Sequence, residues 1–141
     1  MVRARRSLVG GVLTALVVLG MAPATSAAEC RAPLEPWTEI DLYFGRNISS
    51  GGIVSEKQFR QFLAEVVTPR FPDGLSVLDV AGQFRGSNGV IVREPSKLLV
   101  LLVPDAAAAA KKVGQVIAAY KKRFDQESVL RAEHPVCLAF E

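Results

Sequence analysis

The 141-residue sequence contains one histidine, two cysteines and one tryptophan. These scarcities exclude chemistry directly. A zinc site takes three or four His, Cys or carboxylate ligands at characteristic spacing, and His134 has no such companions, so no metal is expected. A Ser-His-Asp or Cys-His unit would have to be built on that same histidine. His134 stands beside Pro135 on a predicted edge strand, where a structural or surface role is the simpler reading, so no catalytic residue is assigned. Gly86-Ser87-Asn88-Gly89 lacks the lysine and the length of a phosphate loop and reads as a turn; no cofactor is expected. Charge of one sign is also lacking beyond residue 28. Arg3, Arg5 and Arg6 are the only charged residues before that point, and without them the basic count falls from 17 to 14, equal to the acidic count. A formally neutral chain without stacking motifs is a poor nucleic-acid binder. With hydrophobic residues at 50%, it is too apolar to remain disordered.

What is present begins with a leader. A basic start, an apolar run from Leu8 to Met21 and the small residues up to Ala28 read as a signal peptide over 1–28, cleaved after Ala27 or Ala28. Gly10, Gly11 and Gly20 interrupt the run, which falls short of the ~20 apolar residues of a membrane span. Arg5-Arg6 admits the twin-arginine route, but paired arginines are common in ordinary signal peptides, so general secretion is the better fit. Glu29 precedes Cys30, where lipidation wants a small residue, so Cys30 reads as unlipidated. The expected protein is exported, to the periplasm or the medium, with no membrane span after cleavage. Residues 29–141 leave room for a single domain. Cys30 and Cys137 form an even pair in an oxidising compartment, which predicts a disulfide.

Ile40, Leu42 and Phe44 alternate with polar residues, the pattern of a half-buried strand. Ser55 opens a helix, with Gln58 completing a capping box. Phe59, Phe62, Leu63, Val66 and Val67 form its apolar stripe, and Thr68-Pro69 ends it. A second strand runs past Val77 and Leu78 to the turn at residues 86–89. Leu98–Val103 is a continuous apolar run, as in a central strand. Asp105 caps a second helix with a stripe of Val113, Val116, Ile117, Tyr120 and Phe124. A last strand covers about 129–140, and Pro135 marks it as an edge. The order βαββαβ predicts an α+β, ferredoxin-like split βαβ fold: a four-stranded antiparallel sheet with two helices on one face. The inferred strand order is 4-1-3-2, which brings Cys137 near Trp37 and Thr38, just after Cys30.

Leu42-Tyr43-Phe44-Gly45, Thr68-Pro69-Arg70-Phe71-Pro72-Asp73-Gly74, Gly82-Gln83-Phe84 and Val92-Arg93-Glu94-Pro95-Ser96-Lys97 follow one another in order. With Val54-Ser55-Glu56, Tyr120-Lys121 and Gln126-Glu127-Ser128-Val129-Leu130, they resemble the exported bacterial proteins grouped as domain of unknown function 3574. The resemblance spans about 38–140. It implies export and one small α/β domain, and it brings no catalytic residues. Phe84 stands where relatives often have tryptophan.

If Ile40, Leu42 and Phe44 face the helices, then Glu39, Asp41 and Tyr43 face away. The same parity is expected to place Asp79, Gln83 and Arg85, and Arg131 and Glu133, on that helix-free side. Tyr43, Gln83, Arg85 and Arg131 are therefore the candidate ligand-binding residues, around an apolar centre drawn from Leu98–Val103. Arg70, Asp73, Arg93, Glu94 and Lys97 flank turns and strand ends, as structural ion pairs or an anion site. The expected role is a small binding module for an unidentified small molecule or protein. The alternatives are a cofactor-independent enzyme using Tyr43 with Asp41 or Glu39, and a homodimer subunit pairing through the sheet.

Overall fold

The computed structural model describes residues 30–85 and 88–141. The leader over 1–28 and the Gly86-Ser87 half of the predicted turn lie outside the described residues. Strand β1 (Glu35–Gly45) is followed by helix α1 (Glu56–Phe62), which continues as one π-helical turn (Leu63–Val67). Strands β2 (Ser76–Arg85) and β3 (Ile91–Val103), helix α2 (Ala106–Phe124) and strand β4 (Leu130–Leu138) complete it. The sheet order is β2-β3-β1-β4, with every neighbouring pair antiparallel. This is the expected α+β split arrangement, with the long apolar run at its centre.

Local sequence explains each element. The Ser55 hydroxyl accepts from the Gln58 backbone N–H, and the Gln58 side chain accepts from the Ser55 N–H, so two orphan donors at the α1 start are satisfied. Pro69 cannot donate to the ladder, and the helix widens into the π turn just before it, where Thr68 N–H reaches Leu63 O at 2.8 Å. The Asp105 carboxylate caps α2 at the Ala108 N–H, and Lys121, Lys122 and Arg123 occupy its last turn. Ile40, Leu42 and Phe44 are fully buried against Phe59, Phe62, Val113, Val116 and Tyr120. The Phe44 and Tyr120 ring centroids lie 4.5 Å apart. The Tyr120 hydroxyl donates to Gly45 O at 2.8 Å, and its burial pushes its pKa well above the usual phenol value.

Register corrects the expected face of β2 and β4. Residues opposite one another in an antiparallel pair share a face. Phe44 lies opposite Lys97, and Lys97 opposite Asp79, so Asp79, Gln83 and Arg85 have the parity of the helix side. Arg131 and Glu133 lie opposite Leu42 and Ile40, again on the helix side. The physical reason is that both strands are edges. There the helix side opens to water, and Leu78, Phe84 and Leu130 instead lie on the helix-free side with 48%, 51% and 63% exposure. Pro135 does sit on an edge strand, opposite Thr38. Cys30 and Cys137 are joined, with Cα atoms 5.5 Å apart, and Cys137 lies opposite Pro36, one residue from the expected neighbourhood.

Candidate functional site

The helix-free side carries Tyr43 and Gly45 from β1, opposite Leu98 and Ser96 of β3. Beyond Ser96, β3 loses β1 as a neighbour and continues as a two-stranded arm with β2. The space left beside that arm is an open groove of about 750 Å³. Tyr43, Val80, Phe84, Val92 and Leu130 give it apolar and aromatic wall, and Glu94, Ser96 and Arg85 add polar groups. The far wall consists of the 47–49 and 126–128 loops. These loops are tied together: Gln126 Nε2 donates to Asn47 O at 2.6 Å, and the Ser49 hydroxyl to Asp125 O at 2.9 Å.

Two glycines make the floor. A Cβ on Gly45 would lie 2.6 Å from Glu94 Oε1, and one on Gly82 would lie 2.9 Å from Ser96 Oγ. Any side chain at either position would occupy the space that now holds the Glu94 carboxylate and the Ser96 hydroxyl. Glu94 is half-buried, and its Oε2 accepts from the Asn47 backbone N–H at 3.2 Å.

The predicted residues divide. Tyr43, Gln83 and Arg85 all line the groove, the last two from the edge strand despite their register parity. Arg131 does not; it pairs with Glu133 on β4. The second predicted cluster is scattered. Lys97 is buried between Glu56 at 2.8 Å and Asp79 at 2.5 Å. Burial works to lower the Lys97 pKa, but the hydrogen bonds to Asp79 and Glu56 outweigh it and raise the value. The Lys97 hydrogen bond, opposed by desolvation and helped by Arg46, holds the Glu56 carboxyl below its usual range. Arg70 donates to Val66 O at 2.6 Å and to Gln115 at 3.1 Å, and with Asp73 it lines a separate hollow of about 310 Å³. Arg93 lies opposite Gln83 on the two-stranded arm. Only Glu94 of that set enters the groove. Asp41 shares the Tyr43 face, lies at 8% exposure opposite Val100 and Ala132, and its Oδ1 has no hydrogen-bond partner among the described residues. Among these residues no group of three or more His, Cys, Asp or Glu is placed to hold a metal.

Sequence reasoning missed Gly45 and Gly82 as the floor, and missed the two loops. The signal was present in Leu42-Tyr43-Phe44-Gly45 and Gly82-Gln83-Phe84, where a glycine interrupts a strand and marks close approach of another group.

An α+β split sheet with an open, glycine-floored groove on its uncovered side is the class that fold and site define. The chain belongs to the family described as "Protein of unknown function (DUF3574)", whose model matches residues 39–140. No curated protein matches it in sequence. Among solved structures, a phage SAM lyase in complex with S-methyl-5′-thioadenosine is similar in fold, with TM-score 0.58 and 14% identity over 74% of this chain and 90% of that one. A phage SAM lyase in its apo state gives TM-score 0.53 with the same identity and coverage.

Proposed function

We propose that this chain is an exported binding module that holds a small molecule in the groove at the end of its helix-free sheet face. The observation that carries this reading is the pair of glycines, Gly45 and Gly82, which leave room for Glu94 and Ser96 where side chains would otherwise stand. Aromatic and apolar walls with a few polar groups are what a small-molecule site needs. Its volume of about 750 Å³ suits a nucleoside-sized ligand. Export is supported by the reading of 1–28 as a leader over a single domain at 29–141, and by the Cys30–Cys137 disulfide. No helix among the described residues is long and apolar enough to cross a membrane.

S-methyl-5′-thioadenosine, held by a protein of similar fold, is the first ligand to try. Calorimetric titration that shows saturable binding, lost in Tyr43→Ala, supports the groove. Equal binding by wild type and Tyr43→Ala removes the groove as the site.

A second reading, catalysis without metal or cofactor, is favoured by one observation: Tyr43 and Glu94 line the same groove, a hydroxyl and a carboxylate available for proton transfer. Turnover of a bound ligand that survives in Tyr43→Phe at the wild-type rate removes Tyr43 from any such mechanism.

A further inference from the structure

The groove reading leaves the chemical class of the ligand open, and Glu94 narrows it. Glu94 is half-buried, and among the described residues the hydrogen bond to its carboxylate is the Asn47 N–H at Oε2. Its Oε1 lies over the open Cα of Gly45. Among the described residues no cation forms an ion pair with it. The neighbouring cations are turned or committed elsewhere: Arg93, opposite Gln83, has the parity of the helix side, Lys97 is held by Glu56 and Asp79, and Arg46 by Glu56 and Val54 O. The other charged groups of the groove are Glu127 and Arg85, so two carboxylates face one guanidinium. Tyr43 and Phe84 add aromatic rings to the same space. A carboxylate partly withdrawn from water without a counter-ion is costly, and a cation placed beside it recovers that cost. Aromatic faces within reach add to the attraction for an organic cation.

We propose that the groove selects a small organic cation with an apolar body, with Glu94 as the group that reads the charge. This rests on the groove being a binding site and adds what enters it. Negatively charged ligands are disfavoured by Glu94 and Glu127. Neutral ligands fill the walls but leave the carboxylate uncompensated.

The test uses two probes of closely similar shape, benzyltrimethylammonium and the neutral alcohol 2-methyl-1-phenyl-2-propanol, added to the isotopically labelled protein with its disulfide intact. Backbone amide shifts are followed at Gly45, Asn47 and Gly82. The expected result is saturable shifts with the cation and at least about tenfold weaker binding of the alcohol, the ratio expected of one such charge contact. Glu94→Gln retains an acceptor for the Asn47 N–H and so preserves the local fold; it should remove most of the cation's advantage. Gly45→Ala, whose new methyl displaces the carboxylate, should do the same without touching its charge. Equal binding of the two probes to wild type overturns the proposal, as does full cation affinity in Glu94→Gln. So does the absence of shifts from the cation. None of these outcomes removes the groove as a site, because titration with the nucleoside thioether and the Tyr43→Ala variant judges that separately.

Discussion

At the scale of single residues, the groups that line the groove are distinct from the groups that hold the frame. Lys97 belongs to the frame. Its side chain is 6% exposed, whereas those of its partners Glu56 and Asp79 are 50% and 76% exposed. That asymmetry decides which substitution hurts. Lys97→Met leaves two carboxylates that rehydrate easily, and the expected loss by denaturant titration is within about 1 kcal/mol. Removing both partners, in Glu56→Gln with Asp79→Asn, leaves the buried ammonium unpaired and should lower the denaturant midpoint more than Lys97→Met does. The pH dependence follows from the directions of the shifts. Glu56 has a lowered folded-state pKa, so its contribution is present above the ordinary carboxylate range and is lost as the pH falls through the lowered value. Lys97 has a raised one, so its contribution persists below the ordinary lysine value and is lost as the pH rises through the raised value. Melting temperatures measured across pH should fall at both ends, and the double carboxylate variant should lose the acid-side dependence due to Glu56. Tyr120→Phe removes the donor to Gly45 O beneath the groove floor and should cost about 1 kcal/mol.

At the scale of elements, the capping box of α1 is the simplest prediction. Ser55→Ala leaves the Gln58 N–H without its side-chain acceptor and should cost about 1 kcal/mol, read from the shift in urea midpoint. Both helices, all four strands and the central place of Leu98–Val103 were legible because their apolar periodicities are driven by burial on known faces. The parity of β2 and β4 was not legible. On an edge strand neither face is wholly buried, so Leu78 and Phe84 carry no more information about direction than Asp79 and Gln83. Of the groove lining, Tyr43 was legible because it stands on β1, whose faces the core alternation fixes. The lining was not legible where it depends on tertiary approach. Glu94 reaches Gly45 from a strand that has already left its partner, and Gln126 reaches Asn47 across a separation of 79 residues. Local pattern reports neither.

At the scale of the whole molecule, one covalent bond joins the start of the described chain to its last strand. The Cys30–Cys137 link has a sequence separation of 107, and closing so long a loop restricts the unfolded chain by about 4–5 kcal/mol in the chain-entropy model. Replacing both cysteines with alanine should lower stability by about 2–5 kcal/mol while leaving the groove, at the opposite end of β1, able to bind. The helix-free face also carries Leu78 and Leu102 at 48% and 40% exposure, the surface on which a sheet-to-sheet dimer would form. The most direct test of the groove as the functional site is a native mass spectrum of the protein isolated from the cells that make it, compared with that of Gly82→Val. The expected result is a reproducible small mass retained by the wild type and absent from the variant, whose side chain fills the floor. The same retained mass on both proteins would contradict it, as would a wild-type dimer carrying no added mass.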